Sequence, residues 1–133
     1  MSVGLLLITH NNIGASLLET ATRVLDCCPL RAETLAVNDE SRKDILTAEA
    51  EKMVHQLDAG DGVMILTDLF GSSPANIANA VHGRGGVRVL TGVNLPMLIR
   101  VLNYPTLRLD ELAQKALSGG RDGVLLCPKG ETG

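Results

Sequence analysis

Residues 3–9 read Val-Gly-Leu-Leu-Leu-Ile-Thr, and His10-Asn11-Asn12 follow at once. An unbroken apolar run, with no polar residue at alternate positions, suits a strand covered on both faces. Such strands belong to parallel sheets sandwiched between helices. The next residues turn helical. Ile13, Leu17, Leu18, Ala21, Val24 and Leu25 recur at helical spacing, and Pro29 stops the run.

The same alternation continues outward from this unit. Residues 31–37 read as a second strand, and Ser41 as the N-cap of a helix reaching about Leu57, with Ile45, Ala48, Met53, Val54 and Leu57 on one face. Residues 63–67 (VMILT) form a third buried strand ending at Asp68. Ser73 and Pro74 open a helix to about Val81, as N-cap and first helical residue. A fourth strand covers 87–90, helices cover 97–102 and 109–117, the latter ended by Gly119-Gly120, and 124–127 read as a last short strand. The expectation is an α/β fold: a three-layer sandwich with a mostly parallel, doubly wound sheet. The chain, 1–133, reads as a single domain with a loose tail from about residue 128.

Composition narrows the function. Net charge is −3, no Lys/Arg block occurs, and one Phe, one Tyr and no Trp are present. Neither a phosphate-backbone surface nor a base-stacking platform is expected, so no nucleic acid. No run approaches the roughly 20 apolar residues of a membrane span, and no signal-peptide pattern precedes residue 3, so the expected location is cytoplasmic without membrane insertion. Cys27, Cys28 and Cys127 fit neither a disulfide framework nor zinc spacing and read as reduced, partly buried residues.

In an open α/β sheet, chemistry sits beyond the carboxyl ends of the strands. Strand 1 is followed by His10-Asn11-Asn12, strand 3 by Asp68-Leu69-Phe70-Gly71-Ser72-Ser73-Pro74, and strand 4 by Thr91-Gly92-Val93-Asn94. If the strands run in the order 2-1-3-4, His10 and Asp68 extend from neighbours about 4.8 Å apart. A carboxylate on one imidazole nitrogen fixes the tautomer and leaves the other with a free lone pair, which suits a nucleophile. Amides of Leu69, Phe70, Gly71, Ser72 and Ser73, with the two serine hydroxyls, could cradle a phosphoryl group on His10. The turn carries neither an acidic pair for magnesium nor a nucleotide-binding glycine-lysine loop, so no metal and no cofactor are expected.

Each feature also has a plainer reading. Asp68 could cap a turn, Ser73 could be only an N-cap, and Gly92-Val93-Asn94 could be a strand-to-helix turn or a contact surface. His55 and His82 read as surface residues, and the charges between residues 40 and 52 as a solvated helix face.

At these loops the chain resembles the mannose-type IIA family of the phosphoenolpyruvate-dependent sugar phosphotransferase system. The resemblance rests on Thr9-His10, on residues 67–76 (TDLFGSSPAN), on 92–98 (GVNLPML) and on 120–124 (GRDGV). It implies a phosphotransferase in which His10 accepts a phosphoryl group from the phosphocarrier HPr and passes it to a IIB component, while Asp68 orients the ring. It also implies a homodimer, with the last strand, antiparallel, against the partner subunit. Asn11 stands where the family commonly has Gly, and Gly71-Ser72-Ser73-Pro74 replaces the usual Gly-Gly-Ser-Pro. Asn tolerates left-handed backbone, so the loop is expected to survive. Asn11, Gly92 and Asn94 are expected to support the loops or an interface. With no IIB segment in the sequence, a separate IIB protein is expected. Two alternatives stand beside this reading: a free-standing regulatory phosphoacceptor, and a IIA-like subunit of dihydroxyacetone kinase.

Overall fold

The computed structural model describes residues 2–128. It contains β1 (Gly4–His10), α1 (Ile13–Leu25), β2 (Ala32–Val37), α2 (Lys43–Leu57), β3 (Val63–Thr67), α3 (Ser73–Asn79), β4 (Val87–Leu90), α4 (Leu95–Leu102) and α5 (Leu109–Asp122). The sheet is all parallel, in the order β2-β1-β3-β4. No helix among the described residues is long and apolar enough to cross a membrane.

The period of two along the strands sorts the core into two layers. Leu5, Leu7, Met64 and Leu66 pack with α1, α4 and α5 residues such as Ala21, Leu98 and Leu112. Leu6, Ile8, Val63 and Ile65 face the other way, onto Val54, Leu57 and Ile77 of α2 and α3. Both faces of β1 and β3 are therefore dry, as their continuous apolar runs require.

Below the sheet, at the amino ends of the strands, one carboxylate ties two turns together. Asp58 Oδ1 accepts from the amides of Gly60 (2.8 Å) and Gly62 (3.1 Å), and Oδ2 from that of Gly85 (2.7 Å). Burial pushes this carboxyl up, but the three amides and the charge of Arg84 outweigh it and hold it below the usual 3.8. The amide of Gly62, whose φ is 88°, would meet any side chain at Gly85 head-on.

Several expectations need correction. Residues 124–127 form no strand within the chain: no sheet edge is paired with them, and Val124, Leu125 and Leu126 are 77%, 78% and 97% exposed. Helix α5 does not stop at Gly119-Gly120 but runs through them to Asp122. Those glycines are where α5 crosses α4 most closely: a Cβ at Gly119 would stand 2.5 Å from Arg100 Cβ, and one at Gly120 2.8 Å from Met97 Cε. Close packing thus explains them better than helix termination. Ser41 is not the N-cap of α2; Arg42 is, and the Ser41 hydroxyl instead closes the preceding turn with Asn38. Helix α3 has Ser72, not Ser73, as its N-cap and ends at Asn79. The three cysteines are free and exposed rather than partly buried. Asp26 ends α1 in the left-handed conformation (φ 59°) and sends 27–29 outside the core, which resumes at Leu30. Residues 129–133 of the expected tail lie outside the described residues.

Candidate phosphoryl-transfer site

His10 is the last residue of β1, and Asp68 the first after β3. Because β1 pairs with β3 so that Ile8 is level with Thr67, the two side chains leave the same end of the sheet together. Asp68 Oδ2 accepts from the main-chain N–H of His10 at 3.1 Å and lies 2.9 Å from Nδ1 of its ring. A carboxylate can only accept, so Nδ1 carries the proton and the free lone pair is on Nε2. The imidazole is 40% exposed and the carboxylate 13%, so the orienting group is sheltered while the ring can be reached. Asp68 Oδ1 is buried and has no hydrogen-bond partner among the described residues.

The backbone around His10 is held from three sides. Thr9, one of two buried polar residues among the described residues, accepts the Gly14 N–H on Oγ1 at 2.7 Å and so fixes the start of α1. The Asn11 N–H donates to Val37 O at 2.8 Å, joining the loop to the end of β2. Asn11 has φ 48°, the left-handed backbone that its residue type tolerates.

The turn after Asp68 offers main-chain donors. The amides of Leu69, Phe70, Gly71 and Ser73 enter no hydrogen bond among the described residues. Ser72 is less available, because its N–H and hydroxyl both donate to Leu69 O, at 3.4 and 2.6 Å. Gly71 has φ 77° and open space where a Cβ would be, so glycine serves backbone conformation here. Phe70 and Leu69 point outward, 83% and 59% exposed.

The loop after β4 supports rather than lines the site. The Val93 N–H bonds Thr67 O at 2.9 Å, and Gly92 turns at φ 79°. Asn94 caps α4 by accepting the Met97 N–H at 2.9 Å and donates from Nδ2 to Gly120 O at 3.1 Å. Both ends of its amide are used inside the fold.

A cleft of about 270 Å³ opens at His10, lined by Ser73 and Ile77 on one side and by Asn38, Asp39, Ser41 and Lys43 on the other. The second wall was not foreseen from sequence. The pairing of His10 with Val37 at the end of β2 places the β2–α2 turn there. A signal was available: polar residues follow strand 2 just as they follow strands 1 and 3. A larger cavity, about 560 Å³, lies at the other end of the sheet, between Asp61, Gly85, Arg88 and the start of α5, away from this chemistry. His55 and His82 are exposed and remote from it.

Residues 4–117 match the family described as PTS system fructose IIA component. The chain belongs to this family. Membership supports a phosphocarrier role in a sugar phosphotransferase system. The chain is 30% identical to the "PTS system mannose-specific EIIAB component" of Escherichia coli K12 over 132 aligned residues, 93% of this chain. It spans only 39% of that relative's length. Among solved structures, the mannose/sorbose specific IIA subunit from Enterococcus faecalis superposes with a TM-score of 0.85 at 24% identity, covering 100% of both chains, a likeness of fold. The IIA protein associated with the fucose utilization operon of Streptococcus pneumoniae gives 0.70 at 26% identity, covering 89% of this chain and 93% of that one.

Proposed function

We propose that this IIA-family chain is a phosphohistidine carrier: His10 accepts a phosphoryl group from HPr and hands it to a separate IIB component. The observation that carries this reading is the 2.9 Å contact between Nδ1 of a reachable ring and the sheltered Asp68 carboxylate at the sheet's carboxyl end. It leaves Nε2 as the attacking atom. In the transfer, the N–P bond of the donor phosphohistidine breaks and the donor ring keeps the electron pair. The Nε2 lone pair forms the new N–P bond in line with it. As that lone pair is committed, positive charge develops on the ring beside Asp68. The unpaired amides of Leu69, Phe70, Gly71 and Ser73 are the donors available to the phosphoryl oxygens. Passing the group to IIB is the same step in reverse, so one geometry serves both.

Exposed Phe70 and Leu69 beside the cleft suit a protein donor better than a small molecule. The bare apolar run Val124-Leu125-Leu126 and the open edge of β4 support a homodimer in which residues 124–127 add to a partner. Such a carrier would work in the cytoplasm.

The test is incubation with Enzyme I, HPr and labelled phosphoenolpyruvate. Acid-labile, base-stable label is expected on the wild type and none on His10→Ala. Label persisting at full level on that variant would reject the site.

A further inference from the structure

We propose that Lys43 is a phosphate-binding residue of the His10 site, the counter-cation for the phosphoryl group on Nε2, opposed in the same cleft by Asp39. This rests on the phosphohistidine reading above and adds a second wall to it. Lys43 is the one Lys or Arg among the residues lining the cleft that contains His10. It is the first residue of α2, a helix of 15 residues, so its main chain is fixed while its side chain is exposed. Arg23, Arg42, Arg88 and Arg100 each have a carboxylate within 4 Å; Lys43 makes no ion pair among the described residues. Its charge is therefore not committed elsewhere.

The placement is held by the fold. The Asn11 N–H bond to Val37 O locks the end of β2 against the His10 loop. Asn38 and Ser41 then close the next turn with two reciprocal bonds of 3.0 and 3.1 Å, and the Glu40 N–H adds a third, to Asn38 Oδ1 at 3.0 Å. That turn delivers Asp39 to one part of the cleft and Lys43 to another. A phosphoryl group brings close to two negative charges into a space already holding the Asp68 and Asp39 carboxylates. The turn after β3, residues 69–73, contributes only neutral donors. A lysine is the simplest balance, acting as a point charge on phosphate.

The experiment measures the equilibrium constant for phosphoryl exchange between labelled HPr and this protein, and its dependence on salt. Lys43→Ala is expected to shift the equilibrium about tenfold toward HPr, or about 1.4 kcal/mol. Lys43→Arg should restore most of the loss, and Asp39→Asn should move the equilibrium two- to threefold the other way. Raising KCl from 20 to 500 mM should weaken the wild type more than Lys43→Ala, since screening removes what the variant already lacks. An equilibrium measurement separates phosphate binding from docking, which changes both directions of transfer alike. Labelled wild type with Lys43→Ala and Asp39→Asn both within a factor of two would overturn the role of Lys43 and leave the carrier reading intact. Unlabelled wild type would overturn both.

Discussion

Replacing Asp68 by Asn isolates what its charge does for His10. Asn keeps a carbonyl oxygen where Oδ2 now accepts from both the His10 N–H and Nδ1–H. Ring orientation can thus survive while the negative charge is lost. At 2.9 Å and an effective dielectric near 20, a full unit charge on each partner is worth about 6 kcal/mol. The ring is 40% exposed and carries only part of its charge at the transition state, which reduces this to about 2–3 kcal/mol. The expected loss in transfer rate is therefore about 30- to 150-fold. Asp68→Ala, which removes orientation too, should be slower still. Quenched-flow, single-turnover transfer from labelled HPr at saturating concentration reads the step directly. The stability of Asp68→Asn should hardly move, within about 1 kcal/mol, because both bonds to the Oδ2 position are kept and the partnerless Oδ1 is exchanged for an equally partnerless amide nitrogen. If Asp68→Asn transfers within threefold of wild type while Asp68→Ala is crippled, the carboxylate only orients the ring, and the charge argument fails.

Asp58→Ala should cost about 1.5–3 kcal/mol in urea unfolding at pH 7, since three amides lose a charged acceptor. Because the folded carboxyl titrates below the unfolded 3.8, this stabilisation is present above that pH and disappears as pH falls through the folded value. The gap between variant and wild type should therefore close in acid; an unchanged gap at pH 3 contradicts the knot. Gly119→Ala should lower stability by about 1–3 kcal/mol despite better helix propensity, because the new methyl would sit 2.5 Å from Arg100 Cβ. A raised Tm by circular dichroism would mean that α4 and α5 separate easily. Leu125→Arg with Leu126→Arg should convert a dimer to monomer in sedimentation without unfolding the chain, as both side chains are bare in the single chain. A double variant that remains dimeric would place the interface elsewhere.

Most of the architecture was legible because buried parallel strands announce themselves. β1 and β3 are apolar on both faces, and the residues just past them are His10 and Asp68, so the pair could be named before any coordinates. Asn11 was readable for a local reason too: its backbone region follows from residue type. What escaped was set by contacts between distant segments. The glycine pair at 119–120 looks like a stop when neighbours in sequence are considered, yet it is a crossing point with α4. Ser41 is a good N-cap by type, but Asn38 competes for its hydroxyl. The polar turn from Asn38 to Ser41, with Lys43 just beyond it at the start of α2, could be placed beside His10 only when β2 proved to end level with it. Residues 124–127 have strand chemistry, but they pair with no sheet edge among the described residues.

One oxygen of Asp68 holds both the main chain and the ring of the same histidine. The two tethers differ in kind: the peptide group cannot rotate away, whereas the imidazole can swing about its Cβ and return. Loss of the outer tether therefore leaves the inner one in place, and the strand end keeps its shape. On the carrier reading proposed above, such a ring can meet its donor and its acceptor at slightly different angles and still reset without rebuilding its loops.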